Sequence, residues 1–171
     1  MALLVLSVVG SDKPGLTKAL AAAVLSAGGN WLQSHLSRLG GLYVGSVLVE
    51  LDGAKVEALR AAVAAVDAEG MEVRIAPAVE SAAAGETLEF SLVGQDRPGI
   101  VKQVTAAVSQ LGANIETFET WLSPEAHAGG SLFHMAAHLR LPAGLKASAV
   151  QDALEAISGE IMVDVVVGAN G

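Results

Sequence analysis

Val9-Gly10-Ser11-Asp12-Lys13-Pro14-Gly15 and Val93-Gly94-Gln95-Asp96-Arg97-Pro98-Gly99 are one passage written twice in this chain of 171 residues. Each copy stands between an apolar β-like run and an amphipathic helix-like run. The flanks repeat too: Lys18 answers Lys102, Gly28 answers Gly112 and Asn30 answers Asn114. A loop repeated together with the elements on both sides of it marks two copies of one domain.

The elements follow from periodicity and punctuation. Ala2 to Val9 is short and apolar and stops at Gly10-Ser11-Asp12, the pattern of a strand. Pro14 suits the first helical position, where its missing N–H costs nothing. Leu16, Leu20, Ala23 and Val24 then recur at helical spacing until Gly28-Gly29 ends the helix. Asn30 to Leu39 and Leu42 to Leu51 are strands joined by Gly40-Gly41, a hairpin turn. A second helix is predicted from Ala54 to Val66 and a fourth strand from Met71 to Ile75. The second half repeats the order, with elements starting near Thr87, Pro98, Asn114, Ser131, Lys146 and Ile161.

This β-α-β-β-α-β order predicts an α+β protein of two tandem ferredoxin-like domains, each a four-stranded antiparallel sheet with two helices on one face. The expected domains are 1–77 and 87–171, joined by an Ala- and Gly-rich linker at 78–86. Right-handed crossovers put the first strand of each domain between its third and fourth. The other sheet face stays free of helices. Alternation turns Tyr43, Val47, Val49 and Leu51 toward the helices and Val44, Ser46 and Leu48 away. In the second domain Phe133, Met135, Leu139 and Leu141 point inward, and His134, Ala136, His138 and Arg140 outward. The first open face is the more apolar, so it is expected to be covered by the other half or by a second chain in a homodimer. The second hairpin is longer, Ser123 to Gly130, and a turn absorbs such an insertion without a register slip.

Composition narrows the function. The hydrophobic content of 52% with 16% charged residues opposes disorder. A formal net charge of −8 opposes attraction to a phosphate backbone, so no direct nucleic-acid contact is expected. With no cysteine there is no disulfide or thiolate chemistry, which fits a cytoplasmic location. The apolar runs are interrupted by Gly28-Gly29-Asn30 and similar groups, which is poor material for a membrane span.

The doubled loop is where ligand chemistry is concentrated. A helix start presents unpaired N–H groups and a positive dipole end, suited to a carboxylate. Asp12 and Asp96 offer the complementary charge for an ammonium group. Gly10 and Gly15, with Gly94 and Gly99, let a ligand approach the backbone. Asn30 and Asn114 supply both a donor and an acceptor. Together these suit a zwitterion, and so a small amino acid. The same residues also have a purely architectural reading, in which Asp bonds its own backbone, Pro sets the helix angle and Gly permits the turn. Repetition alone does not separate the two readings. The aspartates and asparagines carry the ligand chemistry, and the prolines and glycines are chiefly architectural.

Gly-x-Asp-x-Pro-Gly, followed by a helix closing on Gly-Gly-Asn or Gly-Ala-Asn, resembles the ACT domain, a ferredoxin-like regulatory module that binds amino acids. The resemblance runs through both halves. Two such domains without an attached enzyme resemble the glycine cleavage system transcriptional repressor family. That resemblance implies a non-enzymatic regulator responding to glycine and acting through a protein partner, a transcription activator; an amino-acid-sensing subunit of a metabolic enzyme is the alternative. It implies ligand contacts from Gly10, Ser11 and Asp12 with Asn30, and from Gly94, Gln95 and Asp96 with Asn114, where two domains meet side by side. Pro14, Gly15, Pro98 and Gly99, which shape the loops, complete the candidate ligand-binding residues.

Other chemistries find little support. His134 and His138 share a strand face but stand about 13 Å apart, too far for one metal ion. Glu116 and Glu119, on opposite faces of one strand, make a poor acid/base pair, and no Ser-His-Asp order emerges. An RNA-binding sheet needs aromatic residues on its open face, and the third strand of the second domain offers none there. An acylphosphatase-like enzyme would use Arg97 in a phosphate loop, but the first copy has Lys13. Neither a cofactor nor a metal is expected.

Overall fold

The computed structural model describes residues 1–11, 13–79, 85–124, 130–157 and 161–167. The chain divides into two compact units, Met1–Ser81 and Ala82–Gly171. The first unit is built from β1 (Ala2–Ser11), α1 (Leu16–Ser26), β2 (Asn30–Leu39), β3 (Leu42–Leu51), α2 (Val56–Ala68) and β4 (Met71–Pro77). The second contains β5 (Thr87–Gln95), α3 (Ile100–Gln110), β6 (Asn114–Pro124), β7 (Ser131–Arg140), α4 (Ala147–Glu155) and β8 (Met162–Val167). Each is a βαββαβ unit with one antiparallel sheet, ordered β2-β3-β1-β4 and β6-β7-β5-β8.

Each sheet buries alternate positions against its helices. In the first unit Leu4, Leu6 and Val8 of β1 and Val47, Val49 and Leu51 of β3 meet Leu16, Leu20 and Val24 of α1 and Leu59, Val63 and Val66 of α2. In the second, Leu88, Phe90 and Leu92 join Phe133, Met135, Ala137 and Leu139, closed over by α3 and α4. Among the described residues no polar or charged one is buried, so hydrophobic burial at about 1.5–3 kcal/mol per large side chain drives both cores. The inward residues expected on the third strands are the ones found, with Tyr43 packed at the core's edge and Ala137 added.

Several boundaries move. The second helix begins at Val56, two residues later than expected, after a 3-10 turn at Gly53–Lys55 whose entry is capped by Asp52 accepting from the Ala54 N–H at 3.0 Å. Strand β4 runs on to Pro77. Both β2 and β6 carry an irregularity in the same place, between Trp31 and Gln33 and between Ile115 and Thr117. One extra residue there, Leu32 or Glu116, breaks strict alternation. Glu116 therefore reaches Arg140 on the open face, at 2.6 Å, the face on which Glu119 stands opposite Ala136. The opposite-face expectation for these two glutamates fails because it assumed an unbroken strand.

Candidate functional site

The repeated loop is built from a strand end, a turn and a helix start. Pro14-Gly15 and Pro98-Gly99 lie just ahead of their helices, with the glycines as caps at φ 96°, ψ −12° and φ 88°, ψ 0°. These are the dihedrals of the third residue of a type II turn, which needs positive φ, and proline pre-sets the residue before it. In the second loop the Ile100 N–H closes the turn on the Arg97 carbonyl at 3.4 Å. The prolines therefore stand outside the helix and not at its first position. Nothing lies within 4 Å of a Cβ built on Gly15 or Gly99, so backbone angle and not space demands glycine there.

Neither helix start has a side-chain cap or an acidic residue in its first turn. The cap carbonyls are used, Gly15 accepting from Ala19 at 2.9 Å and Gly99 from Gln103 at 3.0 Å. Apart from the Ile100 N–H, the first-turn N–H groups thus have no partner among the described residues and remain open to solvent or to an anion.

In the first loop Gly10 is buried, and a Cβ there would meet the Gly70 carbonyl and Met71 at 3.2 Å, so its smallness serves the approach of β4. The Ser11 N–H donates to the Gly70 carbonyl at 3.1 Å, while its buried Oγ has no hydrogen-bond partner among the described residues. Asp12 lies outside the described residues. Lys13 and Pro14 are exposed.

The second loop is fully described. Gly94 is buried opposite Phe133, and Gln95, Asp96, Pro98 and Gly99 are exposed. The Asp96 N–H donates to the Ser131 carbonyl at 3.0 Å, which ties the loop to the start of β7. Beside it opens a groove of about 580 Å³ lined by Val93, Gly94, Gln95, Asp96, Arg97, Leu132 and Met162. Val93 pairs with both His134 and Met162, and Gln95 with Leu132, which puts these side chains on the helix-free face. Among the described residues neither Asp96 nor Arg97 forms an ion pair, so two opposite charges on adjacent residues border the groove uncommitted.

Arg97, Val93, Leu132 and Met162 were not among the expected ligand residues. Alternation places Val93 and Leu132 on the open face, but Met162 joins them only through the β5–β8 pairing. Next to the groove on the same face, Trp121 stacks on His134 at 5.2 Å between ring centres and 7° between planes, and His134 Nε2 lies 2.7 Å from Ser123 Oγ. Trp121 is thus an aromatic residue on the open face, contributed by β6 and not by the third strand.

The asparagines lie elsewhere. Asn30 pairs with Glu50, which pairs with Leu3, while Ser11 pairs with Leu42. The eight steps from Leu3 to Ser11 span about 26 Å along β1. Asn114 is likewise in the row of Arg140 and Thr87, at the far end of the sheet from Gln95. One unit therefore does not bring its own asparagine to its own loop. Among the described residues no cluster of His, Asp and Glu is arranged to hold a metal, and no helix is long and apolar enough to cross a membrane.

The fold and the repeated loop define the class. The ACT domain family model matches residues 2–75, which is nearly all of the first unit. That unit is an ACT domain, and the second repeats its fold, making the chain a tandem ACT-like protein. A solved structure of an unknown protein from Galdieria sulphuraria is similar over 98% of this chain and 99% of its own, with 27% identity and a TM-score of 0.85. A second, provisionally named a glycine cleavage system transcriptional repressor, is similar over 99% of this chain and 98% of its own, with 16% identity and a TM-score of 0.70. No curated protein matches the chain.

Proposed function

We propose that this chain is a non-enzymatic cytoplasmic regulator. It binds a small amino acid at its strand-to-helix loops and passes that state to a protein partner in transcriptional control. The observation that carries the ligand half is the uncommitted Asp96–Arg97 pair on the rim of the second loop's groove. A carboxylate and a guanidinium side by side complement the ammonium and carboxylate of a zwitterion, and the open first-turn N–H groups of α3 add donors for the carboxylate. Support for the transcriptional half is the likeness in fold, over both units, to the structure named as a glycine cleavage repressor. Glycine is the ligand that the family resemblance implies.

A thermal-shift screen of the standard amino acids tests this. A ligand at one hundred times its dissociation constant stabilises the folded state by about 2.7 kcal/mol. For a chain of this length that raises Tm by about 5–10 °C. Asp12→Ala and Asp96→Ala, made separately, should each remove the part of the response that belongs to its loop. A response unchanged in both rejects the loops as the site, and a screen without a positive rejects the sensor. Co-purification with mass spectrometry identifies the partner; recovery of a metabolic enzyme in place of a transcription factor would move the protein to the alternative regulatory role.

A further inference from the structure

We infer that the groove of the second unit takes an α-amino acid whose side chain is apolar and larger than glycine's. The charged head lies between Asp96 and Arg97, and the side chain lies along Val93, Leu132 and Met162. This rests on the amino-acid-binding reading above and adds the class of side chain.

Three observations lead there. The first is size. A groove of about 580 Å³ falls within the range of about 300–1,000 Å³ that encloses ligands much bigger than glycine. At about 30 Å³ per water it holds roughly 20 waters' worth of space, and glycine, having no side chain, displaces few of them. The second is the wall. Behind the charged rim stand Val93 and Leu132, half-buried, and Met162, which is 72% exposed. Met162 is a flexible thioether able to fold over an apolar group, and covering it removes apolar surface from water. A ligand with only polar atoms would desolvate the charged rim without gaining from this wall.

The third is the contrast with the first unit. Val9 of β1 pairs with Glu72 of β4, as Val93 of β5 pairs with Met162 of β8. Where the second unit offers a methionine, the first therefore presents a carboxylate, held by Arg74 at 3.0 Å. An apolar side chain laid there would bury part of that charge, which is unfavourable without a new partner. The two loops are thus not interchangeable, and apolar selectivity belongs to the second.

Titration calorimetry of the full chain with glycine, leucine and methionine provides the test, repeated on Met162→Glu, which imports the first unit's residue at an exposed position, and on Asp96→Ala. A single methylene in an apolar pocket is worth about 10–200-fold in discrimination. Leucine and methionine should therefore bind at least about tenfold tighter than glycine. Met162→Glu should reduce leucine binding by at least about tenfold and leave glycine nearly unchanged, while Asp96→Ala should weaken all three. Glycine binding as tightly as leucine, or leucine binding unaffected by Met162→Glu, overturns the apolar class and leaves amino-acid binding standing. Binding that survives Asp96→Ala in full overturns the placement at this groove. No binding of any amino acid removes the underlying reading as well.

Discussion

On the helix-free face of the first unit, the row of side chains crossing the sheet near its loop runs Ser37, Val44, Val9, Glu72. The same row in the second unit runs Trp121, His134, Val93, Met162. Only the valine of the central strand is shared. One layer away, on the helix side, Leu4, Leu6 and Val8 correspond to Leu88, Phe90 and Leu92, apolar and buried in both units. The difference between the layers has a physical cause. Close-packed interiors penalise a change of even one methylene, whereas a face bordering solvent admits a ring, an imidazole or a carboxylate at little cost in stability. The copies have therefore kept the scaffold that aims the loop and diverged in the surface a ligand would touch.

The largest expected effect probes the shared layer. Leu6 and Leu92 each face the helices from the first strand of their unit and are both 0% exposed. Leu6→Ala and Leu92→Ala should each cost about 2–5 kcal/mol through lost transfer energy and an unfilled cavity. Denaturant unfolding of the two variants measures this. Comparable losses sustain the view of two equivalently packed units, while a loss below about 1 kcal/mol at either site would break it.

Next in size are the turn glycines, which both copies retain. Because Gly15 and Gly99 have positive φ and empty space where a Cβ would go, alanine brings only the left-handed backbone penalty. That is about 1–2 kcal/mol per site. Melting of Gly15→Ala and Gly99→Ala should show similar losses in the two units. A neutral result at both would mean that the turn relaxes, and that the repeated glycines are kept for something other than backbone angle.

How much of this was legible in the sequence depended on whether a feature is local. The apolar periodicities gave strands and helices, and the repeat gave their arrangement, because alternation and 3.6-residue spacing are properties of single segments. The bulges at Leu32 and Glu116 depend on how many residues the partner strand supplies, which no single strand records, so the face of Glu116 was misread. Pro14 and Pro98 have a φ that suits both a helix start and the second position of a type II turn, and only the pairing of Ile100 N–H with Arg97 separates the two. The groove needed three strand ends at once, with Met162 brought to Val93 from far along the chain. The distance from each asparagine to its loop follows from strand direction: a strand that leaves a crossover helix starts at the end of the sheet opposite that helix's own start.

The smallest expected effect concerns that far end. Arg140, opposite Asn114, binds the bulge residue Glu116 at 2.6 Å and donates from Nη1 to the Gly85 carbonyl at 3.1 Å, with the ion pair's side chains only 21% and 33% exposed. The corresponding position of the first unit is Glu50, opposite Asn30, which cannot make such a pair with the apolar bulge residue Leu32. The first unit's own pair, Arg74 with Glu72 at 3.0 Å, is 83% and 58% exposed. Solvent screens an exposed pair to a few tenths of a kcal/mol, while a partly shielded one that also holds a carbonyl is worth about 1 kcal/mol. Arg140→Ala should therefore cost about 1 kcal/mol and Arg74→Ala less than about 0.5 kcal/mol. A double-mutant cycle with Glu116→Ala should return coupling of about 0.5–1 kcal/mol that persists in high salt. Coupling that vanishes on adding salt would show Arg140 to be a surface charge like Arg74, and would leave the bulge, present in both units without a shared ion pair, to be explained by strand geometry alone.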